Sequence, residues 1–254
     1  MEESIRMLSK NTVKFIKSLH QKKFRTQESQ FFVEGEKSVL EVLGSNFGVE
    51  LLVGTETFLD THRKLIQDTK VHYQIASQKQ LESLGQYQSN DTALAIVRMK
   101  PNNSFQVTEY ELVIALDDVR DPGNLGTIIR IADWYGIKKI VLSSQSADFY
   151  NPKVIQASMG SFTRVEFFYE ELSTVFQRWK KPIYGAFLNG TDIHTMSNLT
   201  PGIILMGNES KGISAELESF VTQKVTIPGF GQAESLNVAI ATAILCDNFK
   251  RLIA

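Results

Sequence analysis

The chain has 254 residues, room for one large domain or two ordinary ones, and its 43 % hydrophobic and 22 % charged residues are those of a soluble globular protein. No run approaches the roughly 18 apolar residues of a membrane span, and the start Met-Glu-Glu-Ser-Ile-Arg lacks the apolar core of a signal peptide, so a cytoplasmic location without a membrane partner is expected. One cysteine, Cys246, excludes an internal disulfide and stands among Ile244, Leu245 and Phe249 as a small core residue.

The net charge of −1 argues against nucleic-acid affinity spread over the whole surface, but the charge is uneven. Residues 1–100 carry 14 Lys/Arg against 12 Asp/Glu, a net of +2, and residues 101–254 carry 13 against 16, a net of −3. Between positions 5 and 25 there are seven basic residues and no acid. Arg6, Lys10, Lys14 and Lys17 recur at helical spacing, with Leu8, Phe15, Ile16 and Leu19 as the apolar counterpart. Such a face is either ordinary solvated surface or a contact for a polyanion that gains by releasing counterions.

After this basic helix come Phe31-Phe32-Val33 as a strand and Lys37–Leu43 as a helix. Glu50–Val53, Val71–Ile75 and Thr92–Val97 read as further strands, so residues 1–99 form a small α/β unit. Lys100-Pro-Asn-Asn-Ser-Phe105 breaks the pattern with turn formers and sets a linker over 100–109. From 110 to 254 the strands become more apolar: Leu112–Leu116, Lys139–Leu142, Arg164–Phe168, Ile183–Phe187, Ile203–Met206 and Val225–Ile227. Helices intervene over 124–136 and 170–179, and a last one runs from Asn237. Near-continuous apolar strands alternating with helices predict a doubly wound parallel α/β domain.

Three polar, Gly-containing segments lie beside these strands: Asp121-Pro-Gly-Asn-Leu-Gly-Thr-Ile-Ile-Arg130, Met206-Gly-Asn-Glu-Ser-Lys-Gly-Ile-Ser214 and Ile227-Pro-Gly-Phe-Gly-Gln-Ala-Glu-Ser-Leu-Asn237. Loops of this kind at the ends of parallel strands are where such folds build sites. A phosphate loop is excluded because Ile213 stands where its Lys belongs, and no Gly-x-Gly-x-x-Gly marks a dinucleotide site. The four His residues are scattered without ligand-spaced partners, so no metal is expected. Asn124 and Asn237 each stand where a helix begins and serve either as caps or as site residues. Arg130 lies beside Thr127 and Trp134, off the apolar side formed by Ile128, Ile131 and Tyr135, either as surface or as a bidentate phosphate fork.

Taken in order, the three segments resemble the three motifs of the SpoU (TrmH-type) RNA ribose 2′-O-methyltransferases of the SPOUT superfamily. Lys153–Gly160 is similar to the family's segment between the first two motifs. Lys22-Lys-Phe-Arg25 and Phe31-Phe-Val-Glu-Gly35 resemble the ribosomal-protein-like substrate-binding domain of two-domain members. The resemblance implies a deep trefoil knot in the C-terminal domain and S-adenosylmethionine as methyl donor, contacted at Gly207, Ile227 and Leu236. It implies a homodimer, with helix 237–252 at the interface. It also implies a catalytic set of Asn124, Arg130, Glu209, Ser235 and Asn237. Arg130 is then either the base or a clamp that orients the RNA phosphate. Two departures stand out: Gly229 where the family has a larger apolar residue, and Thr127 where Ala is commoner.

Structured RNA is the expected substrate, ribosomal RNA ahead of transfer RNA, with Lys17, Lys22, Lys23 and Arg25 as contacts. The rival readings are an RNA-binding protein with a degenerate methyltransferase domain and an unrelated α/β enzyme such as a dehydrogenase.

Overall fold

The computed structural model of the chain describes residues 8–197 and 199–253. Arg6 of the basic segment lies outside the described residues. Two compact units result: the chain through Pro101 together with Tyr150–Thr163, and Asn102–Phe149 together with Arg164 onward. No helix among the described residues is long and apolar enough to cross a membrane.

The first unit holds α1 (Lys10–Ser18), α2 (Lys22–Glu28), β1 (Gln30–Glu34), α3 (Glu36–Leu43), β2 (Val49–Gly54), α4 (Glu56–Thr61), α5 (Arg63–Thr69), β3 (Tyr73–Ile75), α6 (Gln78–Leu84) and β4 (Ala93–Arg98). Its sheet runs β1-β4-β2-β3, with β4 antiparallel to both neighbours and β2 parallel to β3. Ile16 and Leu19 pack with Phe32, Leu81, Leu84, Leu94 and Ile96. Each such side chain contributes about 1.5–3 kcal/mol on leaving water. On the other face, the Phe31 ring meets Tyr150 at 4.5 Å and Phe162 at 5.9 Å. Both faces of β1 are therefore covered, which is why Phe31-Phe32-Val33 is apolar without alternation.

The expected single basic helix is two helices, α1 and α2, parted by a turn at Leu19–Gln21. Ser9 caps α1 by accepting from the Thr12 N–H at 3.0 Å. Arg25 explains the break: it is 2 % exposed, and its Nη1 donates to the carbonyls of Leu19 and His20 at 2.9 Å each. The turn leaves helix-end carbonyls in need of donors, and a buried guanidinium supplies them. The expectation that Arg25 contacts RNA is corrected accordingly, since the residue serves the fold.

The second unit holds β5 (Val113–Leu116), α7 (Pro122–Trp134), β6 (Lys139–Leu142), β7 (Glu166–Tyr169), α9 (Leu172–Trp179), β8 (Ile183–Asp192), β9 (Ile203–Met206), α10 (Ala215–Glu218), β10 (Gln223–Thr226) and α11 (Val238–Ile253); α8 (Pro152–Ser158) groups with the first unit. Its six-stranded sheet, β10-β8-β9-β5-β6-β7, is parallel throughout. The central β5 and β9 are buried at every position, as their apolar runs require. Val113, Val141, Phe168, Phe176, Ile203 and Leu205 anchor one face of the core. Cys246 is buried in α11, and burial pushes its thiol up to about 12, so it is no nucleophile at neutral pH.

Three strands of this unit differ from expectation by two residues or more, the first being β10, which starts at Gln223 rather than Val225. β7 begins two residues later than Arg164, whose side chain instead forms an ion pair with Asp133 at 2.9 Å. β8 continues past Phe187 to Asp192, and its register against β10 jumps so that Lys224 faces Gly185 while Val225 faces Thr191.

Candidate active site

All three motifs converge at the C-terminal edge of the second unit's sheet. From β5 the chain winds outward through β6 and β7, then returns to the opposite side for β8, with β9 filling the gap beside β5. That reversal between β5 and β9 is the topological switch point, the place where folds of this kind build their sites. Leu116 lies opposite Met206, so the loops leaving the two strands start side by side.

Hydrogen bonds stitch these loops together. The Asp117 N–H donates to the Met206 carbonyl at 2.9 Å, and Asp117 Oδ2 accepts from the Ser214 N–H at 2.8 Å. Asn208 Nδ2 donates to the Asp118 carbonyl at 2.7 Å, while Asn208 Oδ1 accepts from the amides of Ser210 and Lys211 at 3.0 and 3.1 Å. Gly207 sits at the tightest point. A Cβ there would lie 2.2 Å from the main-chain carbon of Gly212, so any side chain would force the loop open.

Asp118 adopts a left-handed backbone, φ 58°, sparsely populated for a non-glycine residue. Its N–H donates to Ser143 Oγ at 2.8 Å, which with Asn208 holds it in place. Its carboxylate takes Arg120 Nε at 2.6 Å. That hydrogen bond, then the charge of Asp118 and more weakly that of Glu209, raises the Arg120 guanidinium above its ordinary value.

Asp121 caps α7 by accepting from the Asn124 N–H at 2.8 Å, with Pro122 in the first turn. Asn124 is thus within the helix rather than its cap, and its side chain turns into the site. Asn124 Nδ2 donates to Glu209 Oε1 at 3.0 Å, and Asn124 Oδ1 accepts from Asn237 Nδ2 at 2.8 Å. Asn237 in turn caps α11, its Oδ1 accepting from Ala239 and Ile240 amides at 2.9 and 3.3 Å. The Glu209 carboxylate also accepts from the main-chain amides of Asp121 and Arg120 at 3.3 and 3.5 Å. A carboxylate can only accept, so it fixes which way the Asn124 amide points, and Asn124 then fixes Asn237. One residue from each motif enters this chain.

Arg130 and Ser235 stand outside it. Both are exposed, and neither side chain makes a hydrogen bond or ion pair among the described residues. Arg130 belongs to the exposed stripe of α7 with Trp134, which is 83 % exposed, opposite buried Leu125, Ile128, Ile129 and Ala132. Gly207 and Ile227 follow β9 and β10, and Leu236 precedes Asn237. No main-chain hydrogen bond among the described residues takes up the amides or carbonyls of these three.

One part of the edge escaped the sequence reading. The jump in the β8–β10 register throws residues 186–190 out of the ladder, leaving Leu188 77 % exposed, with its carbonyl accepting from Thr226 Oγ1 at 3.0 Å. Gly190 makes this possible, since a Cβ there would come within 2.8 Å of the Lys224 main chain. The Asn189-Gly190 pair, a turn signal, marks the place in the sequence. In the first unit, Lys17, Lys22 and Lys23 are exposed on α1 and α2, whereas Arg25 is not.

Residues 111–247 match the SpoU rRNA Methylase family, and residues 10–95 match the MRM3-like substrate binding domain. The 23S rRNA (guanosine(2553)-2′-O)-methyltransferase RlmP of Bacillus subtilis is 32 % identical over 238 residues, which cover 92 % of this chain and 93 % of that protein. The solved structure of an AdoMet-bound rRNA methyltransferase from Sinorhizobium meliloti is 30 % identical with a TM-score of 0.86, covering 97 % of each chain. AviRb, a SpoU methyltransferase from Streptomyces viridochromogenes solved with AdoMet, shares the fold with a TM-score of 0.85 at 23 % identity, covering 96 % of this chain and 98 % of its own.

Proposed function

The chain belongs to the SpoU rRNA methylase family, and from that premise we propose that it transfers a methyl group from S-adenosylmethionine (AdoMet) to a ribose 2′-hydroxyl of 23S-type ribosomal RNA. The observation that carries the proposal is the Glu209–Asn124–Asn237 chain, which ties the three motifs into one polar site at the switch point.

The residues present suit the donor. Unpaired main-chain groups at Gly207, Ile227 and Leu236 can receive its amino-acid and adenine hydrogen bonds, and the exposed Leu188 and Leu236 side chains offer apolar cover. Bound there, AdoMet supplies an electrophilic methyl group on a sulfonium. The protein's part is to align the hydroxyl in line with that methyl and to ease the loss of its proton. Asn124, Ser235 and Asn237 position the ribose. Glu209 keeps the Asn124 amide oriented. Arg130, exposed and without a carboxylate partner, grips the adjacent phosphate with its fork and stabilises alkoxide charge as it develops. A guanidinium resists deprotonation and is poorly suited to act as the base, so the clamp is the preferred role.

The knot and the dimer belong to the same proposal. Trp134 of α7 and Ile240 of α11, each an exposed apolar side chain on one of two helices that pack together, are residues a second copy would cover, which sedimentation equilibrium would test. The basic helices α1 and α2 of the first unit take up structured RNA through Lys17, Lys22 and Lys23. Ribosomal RNA is preferred to transfer RNA because the RlmP relative named above acts on 23S rRNA and shares nearly its whole length with this chain.

The test is methylation of 23S rRNA and of tRNA transcripts with labelled AdoMet, with the site read as a 2′-O-methyl stop in primer extension. Methylation of the 23S transcript by the wild type, and a fall of roughly tenfold or more for Arg130→Lys, is expected from loss of a bidentate grip. AdoMet binding without methylation of either RNA would make the protein a non-catalytic binder instead.

A further inference from the structure

Arg120 plays no part in the catalytic set, yet it stands at the site. It occupies the loop between β5 and α7, immediately before the Asp121 cap, and its own amide points at Glu209 Oε2. Its side chain is exposed, 61 % by relative area, against 21 % for its partner Asp118. Only Nε is engaged, by Asp118 Oδ1; neither Nη1 nor Nη2 makes a hydrogen bond among the described residues. A guanidinium anchored along its Nε edge has lost much of its rotamer freedom. It keeps two parallel N–H groups directed outward, the fork geometry that fits a phosphate. The left-handed backbone of Asp118 has a use in this arrangement, since that conformation is pinned by Ser143 and Asn208 and so sets the carboxylate rigidly.

Electrostatics point the same way. Asp117, Asp118, Asp121 and Glu209 bring four carboxylates to the edge that is to receive a polyanion. Arg130 and Lys211 do not balance them, and Arg120 is the cation closest in sequence to three of the four.

We infer that Arg120 is a second phosphate-binding arginine, which grips the backbone of the substrate RNA strand beside the target ribose and is aimed by Asp118. The inference rests on the proposed RNA-methylating function of the same site. Arg120 contributes to holding the strand rather than to the chemical step, and Asp118 is its positioning residue.

The experiment compares full-length wild type, Arg120→Gln, Arg120→Lys and Asp118→Asn on a 23S rRNA transcript. Filter binding across a salt series is measured first, then steady-state methylation. For Arg120→Gln, RNA affinity and KM should weaken about tenfold, with the change falling on KM rather than kcat and AdoMet binding unchanged. The slope of log affinity against log salt should drop by about 0.7–0.9, the signature of one phosphate left unneutralised. Arg120→Lys should restore the slope but only part of the affinity. Asp118→Asn should keep the slope and weaken binding by a few fold, because the charge remains but is no longer aimed.

Equal affinity and slope in wild type and Arg120→Gln would overturn the inference. So would joint loss of AdoMet binding, kcat and thermal stability in that variant, which would make Arg120 a brace for the loop. Failure of the wild type to methylate any RNA would instead overturn the proposed function, since the binding comparison does not need turnover.

Discussion

The two units handle polar residues in opposite ways. In the second, Asn124, Glu209 and Asn237 come from segments 85 and 113 residues apart and are locked to one another by hydrogen bonds at 2.8–3.0 Å. In the first, Lys17, Lys22 and Lys23 stand exposed on short helices, with no ion pair among the described residues. The contrast fits the tasks proposed for the two sets. Under the proposed function, aligning a hydroxyl with a methyl group tolerates errors of only a fraction of an ångström, which the bracing of Asn124, Glu209 and Asn237 suits. Attracting a polyanion depends on charge count and release of counterions, which is indifferent to the exact pose of each ammonium. A braced site should therefore fail through single substitutions, and a diffuse one only through several.

The largest effect expected is at Glu209. Its carboxylate receives the Asn124 amide and the main-chain amides of Arg120 and Asp121, so Glu209→Ala leaves three donors without their acceptor. We expect kcat to fall by about 10²–10³, the range for loss of a preorganised polar group or a misplacement near 1 Å. The melting temperature should move little, because the group lies at an exposed loop. A variant within tenfold of wild-type kcat would show that the hydrogen-bonded chain is not what orders the site.

The same contrast explains what could be read from the sequence. The apolar runs at Lys139–Leu142 and Ile203–Met206 appear as strands at the expected residues, because burial on both faces leaves little freedom in composition. The three motif segments are found together at one edge because parallel strands in this topology all end there. At Asn124 the sequence left a cap and a site residue both open, because either stands near a helix start; Asp121 takes the capping of α7, which leaves the Asn124 side chain to bond Glu209. Arg25 misled for a related reason. Charge and position among lysines suggest surface, and only the turn after α1 shows why a guanidinium is needed inside. The helices α4, α5 and α10 are only six, seven and four residues long, too short to show a periodicity, and the excursion of β8 at 186–190 rests on a register jump that periodicity does not register.

The second prediction sets the diffuse surface against its buried neighbour. Lys17→Glu, Lys22→Glu and Lys23→Glu combined should weaken rRNA binding by about one to two orders of magnitude at moderate salt. The salt dependence should flatten as well, by roughly 0.7–0.9 in slope for each phosphate that is no longer neutralised. AdoMet binding should be untouched, and each single reversal should matter only slightly. Arg25→Ala should do the reverse, leaving the salt slope as it was while lowering thermal stability, since the carbonyls of Leu19 and His20 lose their donors. If Arg25→Ala flattened the salt slope as the triple reversal does, the division between a braced interior and a free basic surface would be wrong.

The smallest effect concerns a braced group in the first unit. Glu34 is buried, and its carboxylate accepts from the Gln86 N–H at 2.8 and 3.0 Å and from the Tyr87 N–H at 3.3 Å. Gly85 permits the approach, since a Cβ there would lie 1.7 Å from Glu34 Oε2. Burial raises the carboxyl above its ordinary 4.5, against the Gln86 and Tyr87 amides and His20, which pull it down. The Tyr87 hydroxyl is also raised, first by burial and then by the charge of Glu34. With the folded value above the unfolded one, the contribution of Glu34 to stability is fully present below about pH 4.5 and is lost as pH rises through the raised value. Glu34→Gln cannot ionise and carries no such loss. Its melting temperature relative to wild type should therefore climb by a few degrees at most between acid and neutral pH. A difference that stays flat across that range, or falls, would mean that the three amide contacts outweigh the cost of burying the charge, and that Glu34 is braced as firmly as Glu209.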